Sequence, residues 1–241
     1  MTDSATMAHG HFVDRARSVM LALGPRGAVH LRSSRLGGRD FHAIAEKLAA
    51  AQEATGCWLI VNDRADIAAA VGARGLQLAS HSLEIADALT VWPVGLVGAS
   101  IHSVAEALAA ERAGASWCVA GTVFETPSHA GRPPARVEFV ENASRAIGIP
   151  LIAIGGVTPE DVPALVKAGA HGVATIRGAN WNGESPVAAS DEGPLLTRLT
   201  VPPDGSVPEA VTRYISAYDS VSTSNRYDYP DGERSPTRIG G

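Results

Sequence analysis

The segment Ile152-Ala153-Ile154-Gly155-Gly156-Val157-Thr158-Pro159 carries the strongest chemical signature in this sequence. An apolar run that passes through two glycines into a helix start with proline in its first turn leaves backbone N–H groups exposed there. The helix dipole and the unpaired donors favour an anion at such a start. A phosphate fits. The next apolar run, Gly172-Val173-Ala174-Thr175-Ile176, ends in Arg177-Gly178-Ala179, which adds a second small-residue turn and a cation. Upstream, Gly121-Thr122-Val123-Phe124-Glu125-Thr126-Pro127-Ser128-His129 is a loop dense in hydroxyls. Its histidine can serve as a cation, an acid or a base. Gly155 and Gly156 also have a plainer reading, as the residues that permit a tight turn, and Arg177 has one as a surface charge.

Such residues need a scaffold that delivers several strand ends to one face. Short β-rich apolar runs alternate with alanine-rich helical patterns along the chain, which predicts βα units and a parallel sheet. Strands are expected at about 28 to 32, 57 to 62, 74 to 78, 94 to 99, 116 to 121, 150 to 155 and 172 to 176. Helices are expected near 11 to 23, 39 to 54, 65 to 71, 83 to 89, 103 to 113, 138 to 147, 159 to 168 and 207 to 219. Ser103 with Glu106 and Thr158 with Pro159 read as helix starts. Gly56, Gly114, Gly148 and Gly169 read as left-handed stops. The expected fold class is α/β, a TIM (β/α)8 barrel, whose loops after the last strands are a recurrent phosphate site. Seven strands are visible where a closed barrel needs eight, and only the polar Met1 to Gly10 precedes the first helix. The first strand is therefore expected to be short and irregular, or truncated. An open doubly wound sheet is the alternative with seven strands. Residues 1–219 read as one barrel domain with a loop insertion at about 180–206, and 220–241 as a polar, disordered tail.

Composition narrows the partners. The chain has 241 residues, of which 45% are hydrophobic, enough for one sizeable core. A net charge of -5 and a pI near 5.9, with scattered basic residues, argue against nucleic-acid and membrane-surface roles. Cys57 and Cys118 sit inside apolar runs and read as buried thiols without a disulfide framework. No leader-like opening and no apolar run of bilayer length is present, so a cytoplasmic location is expected.

Several motifs in order resemble one family. Ala28-Val29-His30-Leu31-Arg32, Leu59-Ile60-Val61-Asn62-Asp63-Arg64-Ala65-Asp66-Ile67-Ala68, Gly75-Leu76-Gln77-Leu78, Ser100-Ile101-His102-Ser103, Gly121 to Thr126 and Pro150 to Pro159 resemble the TenI and thiamine phosphate synthase family. The likeness covers about residues 28 to 179. It implies a barrel that binds a small phosphorylated, thiazole-type ligand. In the synthase it also implies a pyrimidine pyrophosphate with magnesium. Carried onto this chain, the ligand-binding set is Arg32, Asn62, Gln77, Ser100, Thr122, Thr126, Ser128, Gly155, Gly156, Arg177 and Gly178, with Asp63 as the candidate metal ligand.

Departures from the family pattern bear on which branch this is. The synthase run Gln-Leu-Arg-Glu-Lys is here His30-Leu31-Arg32-Ser33-Ser34, without the lysine. The second metal-binding aspartate of the synthase falls at Ser82, and the lysine of its loop at His129. Magnesium usually needs oxygen ligands from more than one group. Val123-Phe124-Glu125-Thr126 looks closer to the TenI branch, whose members isomerise a thiazole carboxylate phosphate. The tautomerase's catalytic histidine, however, is replaced by Thr122. His129, and after it His30, are the candidates for proton transfer, whereas His102 reads as structural. The expected function is a TenI-like, thiazole tautomerase type of thiamine-biosynthesis protein. The alternatives are a divergent synthase, for which magnesium is a possible cofactor, and a non-catalytic binder or regulator. A homo-oligomer is compatible with each.

Overall fold

The protein is described here by a computed structural model, which covers residues 1–8, 10–126, 134–176 and 209–221. Seven strands form one sheet: β1 Ala28–Leu31, β2 Trp58–Asn62, β3 Gly75–Leu78, β4 Leu96–Ile101, β5 Trp117–Ala120, β6 Leu151–Ile154 and β7 Gly172–Ala174. Every neighbouring pair is parallel and the strands lie in sequence order. An order without reversal is the barrel winding, because a doubly wound sheet reverses at a switch point. Each expected strand is therefore present, most of them shorter by one or two residues at one or both ends, while β4 starts two residues late and runs two residues past its expected end.

The helices are α1 Ser4–Met7, α2 Phe12–Leu23, α3 Gly38–Thr55, α4 Ala65–Val71, α5 Ile85–Val91, α6 Val104–Arg112, α7 Arg136–Ala146, α8 Val162–Lys167 and α9 Glu209–Asp219. A 3-10 turn at Pro159–Asp161 leads into α8, so the helix expected from 159 begins as a tighter coil. Gly56, Gly114 and Gly169 adopt positive φ after their helices. Gly148 does not: α7 ends at Ala146, and Ile147 is already extended, so no left-handed residue is required.

Strand alternation sorts the side chains. Leu59, Val61, Leu76, Val97, Cys118, Leu151 and Ala153 are buried on one face. Trp117 belongs to the other face. Its ring passes β4 to reach the Gly75 backbone on β3, which is possible only on the concave side of the sheet. The barrel interior therefore carries Ile60, Gly75, Gln77, Gly98 and Trp117. Among the outer supports, buried Gln52 of α3 accepts from Leu59 N at 2.9 Å and Arg74 N at 3.1 Å, and donates to Gly72 O at 3.0 Å. One side chain thus ties α3 to β2 and to the turn before β3.

The space for an eighth strand is filled by two residues. Thr2 N donates to His30 O at 2.9 Å, and Met1 N donates to Thr175 O, just past β7, at 3.0 Å. The Thr2 side chain is wholly buried, which its hydroxyl permits by bonding both Arg32 N (2.9 Å) and Arg32 O (3.2 Å). The polar opening of the chain thus bridges β1 and β7 without forming a regular strand. The insertion expected at 180–206 and almost all of the 220–241 tail lie outside the described residues.

Candidate functional site at the carboxyl ends of the strands

Two polar chains of contacts occupy the barrel mouth. The first starts at His30 on β1, whose Nε2 lies 3.0 Å from Asn62 Oδ1 on β2. Asn62 Nδ2 donates to Asp63 Oδ2 at 2.6 Å, and Asp63 Oδ1 accepts from Ser82 Oγ in the loop after β3. Ser82 Oγ also accepts from Ala79 N at 2.8 Å. Asp63 adopts φ 61°, a left-handed turn that a short polar side chain tolerates, and its own N–H donates to Gln77 O at 3.0 Å. Since the Asn62 amide nitrogen faces a carboxylate, its oxygen faces His30, so His30 carries its proton on Nε2. Burial pushes the His30 pKa down to about 3, helped by positive charge at the chain start and at Arg32. The imidazole is therefore neutral near pH 7. It holds the chain of contacts together as a donor to Asn62.

The second chain lies deeper. Trp117 Nε1 donates to Gln77 Oε1 at 2.8 Å, and Gln77 Nε2 donates to Ser100 Oγ at 3.1 Å and Leu78 O at 3.3 Å. Gln77 is 2% exposed, so its amide faces Trp117 and Ser100 and not the barrel mouth, where a ligand contact was expected. Ser100 is half-exposed at the end of β4. Arg32 is exposed at the end of β1, its backbone clamped by Thr2 and the following loop held by Ser4 Oγ, which meets Ser33 Oγ and Ser34 Oγ at 3.1 Å.

The glycine pair after β6 is packed from above. Val123 N donates to Ile154 O and Phe124 N to Gly155 O, both at 2.9 Å, so the loop after β5 runs along the exit of β6. Gly155 and Gly156 take φ 102° and 66°. A Cβ at Gly155 would meet Thr122, and one at Gly156 would lie 2.8 Å from Phe124 Cβ and collide with Glu125 O. The plainer role of a tight turn and the anion role therefore meet in the same residues. No described residue accepts from the Gly155 or Gly156 N–H. The first donor of the helix start is taken: Thr158 N and Thr158 Oγ1 both donate to Asp161 Oδ2 at 2.8 Å. An anion here is left with the two glycine N–H groups instead of the helix turn itself. Thr122 and Thr126 lie in the covering loop, half-buried. Ser128, His129, Arg177 and Gly178 lie outside the described residues.

The residues present fall short of a magnesium site. Asp63 is a lone carboxylate whose oxygens already accept from Asn62 and Ser82, and the described residues contain no group of three His, Cys, Asp or Glu side chains placed for a metal. The structure places Ser82 at the position where a second carboxylate would face Asp63, as the resemblance implies. Trp117, Thr2 and the contact of His102 Nδ1 with Gly121 O at 2.5 Å had no motif to announce them. Only glycine at Gly75 and Gly98, on adjacent strands, signalled a large inward neighbour.

Comparison with known proteins matches this geometry. Residues 2–179 fit the family model described as thiamine monophosphate synthase. A protein of Chlorobium luteolum named thiamine-phosphate synthase is 41% identical over 169 residues, 69% of this chain and 79% of that one. A Methanoculleus marisnigri protein of the same name is 36% identical over 173 residues, 70% of this chain and 82% of its own. The solved thiamine phosphate pyrophosphorylase of Pyrococcus furiosus superposes with a TM-score of 0.73 at 24% identity, covering 92% of this chain and 95% of its own, a likeness of fold. The matched span covers most of the chain, and the chain belongs to the thiamine monophosphate synthase family.

Proposed function

We propose that this chain binds a thiazole phosphate at the carboxyl ends of its strands and couples it to a pyrimidine pyrophosphate, as a divergent thiamine phosphate synthase. The observation that carries the reading is its 41% identity, over most of its length, to a protein named for that activity. It revises the TenI-like expectation, which none of the names of the relatives quoted above echoes. The N–H groups of Gly155 and Gly156 receive a phosphate, and the Thr122 to Thr126 loop covers it. Arg32 supplies a charge at the opposite rim. Thr126, Ser128, Arg177 and Gly178 join the phosphate site by family resemblance. Asp63, with one carboxylate where the synthase has two, leaves magnesium to be held chiefly by substrate oxygens, and binding of the metal to the free protein is expected to be weak. The buried thiols Cys57 and Cys118, both pushed up to about 12 by burial, are inert and suit a cytoplasmic setting.

A second reading has its own support. Ser82 beside Asp63, and Ser34 in place of lysine, favour a tautomerase-type protein in which His129 moves protons. Incubating purified protein with pyrimidine pyrophosphate, thiazole phosphate and magnesium tests the first reading, with thiamine phosphate formation as the expected result. Failure there, with aromatisation of the thiazole carboxylate phosphate tautomer that His129→Ala abolishes, selects the second. Tight calorimetric binding of thiazole phosphate with neither turnover selects a non-catalytic binder.

A further inference from the structure

The indole N–H of Trp117 can only donate, so the Gln77 atom 2.8 Å from it must be the carbonyl oxygen. The Gln77 nitrogen is thereby turned to Ser100 Oγ and Leu78 O, and both of its protons are used. Ser100 Oγ is an acceptor inward, which leaves its own proton to point elsewhere. No described residue takes that proton, and Ser100 is half-exposed at the barrel mouth. We infer that Trp117 is a positioning residue: through Gln77 it makes the Ser100 hydroxyl a donor toward the mouth, where it selects an acceptor atom on the bound heterocycle or its phosphate.

The room for this device is built into two strands. A Cβ at Gly75 would lie 2.7 Å from the Trp117 ring and 3.2 Å from Ile60 Cγ1. At Gly98 it would overlap the indole and lie 2.6 Å from Gln77 Oε1. Both glycines therefore admit the ring that orients the amide. Without the indole N–H, only the longer 3.3 Å bond to Leu78 O still favours this orientation of the Gln77 amide, and a turned amide presents its oxygen to Ser100. The hydroxyl would then donate inward and face the ligand with lone pairs, the wrong polarity for an acceptor.

This role rests on the reading above that the ligand lies beside Ser100, and a double-mutant cycle separates the two. Thiazole phosphate and pyrimidine pyrophosphate are titrated separately by calorimetry into the full chain and into Trp117→Phe, Ser100→Ala and the double variant. Ser100→Ala is expected to weaken one of the two ligands roughly three- to tenfold, the worth of one neutral hydrogen bond. Trp117→Phe is expected to weaken the same ligand to a similar degree, and to cost nothing more once Ser100 is alanine. An equal loss in both backgrounds overturns the positioning role. Unchanged affinity for both ligands in Ser100→Ala overturns the placement of the ligand, and the role with it. Because phenylalanine leaves space in the barrel, Gln77→Met, which keeps length and loses all three side-chain hydrogen bonds, is run beside it with the same non-additivity expected. If its loss adds fully to that of Ser100→Ala, the role fails even where Trp117→Phe does not fold.

Discussion

At the scale of single residues, the polar chain from His30 to Ser82 turns chemically suggestive types into a scaffold. His30 has a folded-state pKa near 3, below the ordinary value of 6.5, because burial disfavours its cation. Between those two values the unfolded state holds a proton that the folded state does not, so stability falls as pH drops below about 6.5 and is undiminished above it. His30→Gln, which can still donate to Asn62, should remove that share. In urea unfolding, the wild type is expected to lose about 1–2 kcal/mol more than the variant between pH 7 and pH 5. Asp63 gives a second prediction. Ser82→Asp places two carboxylates together, so Mg²⁺ titrated into the substrate-free variant should bind measurably where the wild type shows weak or no saturation. Without metal the variant should be less stable by about 1 kcal/mol through like-charge repulsion. Asn62 and Asp63 were legible from their motif. That the neutral His30 would hold Asn62 was not, because local sequence does not report burial.

At the scale of elements, the site depends on how the exit of β5 lies against the exit of β6. Two backbone hydrogen bonds hold Val123 and Phe124 to Ile154 and Gly155, and the positive φ of Gly155 and Gly156 lets the loop approach without side chains between. Gly156→Ala should meet both penalties, a strained backbone at φ 66° and a Cβ 2.8 Å from Phe124 Cβ. A loss of about 2–3 kcal/mol in thermal or urea unfolding is expected, together with weaker phosphate-ligand binding as the loop lifts. A variant as stable as the parent would remove the close approach from the account. The glycine pair stood out in the sequence because a strand, two glycines and a helix start follow one another within eight residues. The covering loop was legible too, from its hydroxyls; its two backbone bonds to Ile154 and Gly155 were not, since they use atoms that any residue type has.

At the scale of the whole molecule, closure comes from both ends of the described chain. Met1 and Thr2 bridge β1 and β7, while α9 seals the outside against α2 and α8. Tyr214 donates to Val157 O at 2.7 Å and Tyr218 to His171 O at 2.9 Å, and Arg26 pairs with Asp219 at 2.7 Å. The exposed ion pair contributes little. The two tyrosine hydroxyls contribute more. Tyr218→Phe, whose partner His171 O precedes β7 at the end away from the site, should lower stability by about 0.5–1.5 kcal/mol in chemical unfolding and leave ligand binding unchanged, whereas Tyr214→Phe, bonded one residue from Gly156, should weaken both. The βα alternation, the seven strands, the helix caps at Ser103 and Thr158 and the double-glycine turn after β6 are all written in short windows of sequence, where period and turn chemistry act locally. The tertiary structure alone decided that Thr2 substitutes for a strand, that Gln77 faces Trp117 beneath Ser100, and that Ser82 engages the Asp63 carboxylate. Each of these depends on partners 15 to 40 residues or more apart whose meeting is set by barrel closure, and no local pattern encodes a distance of that kind.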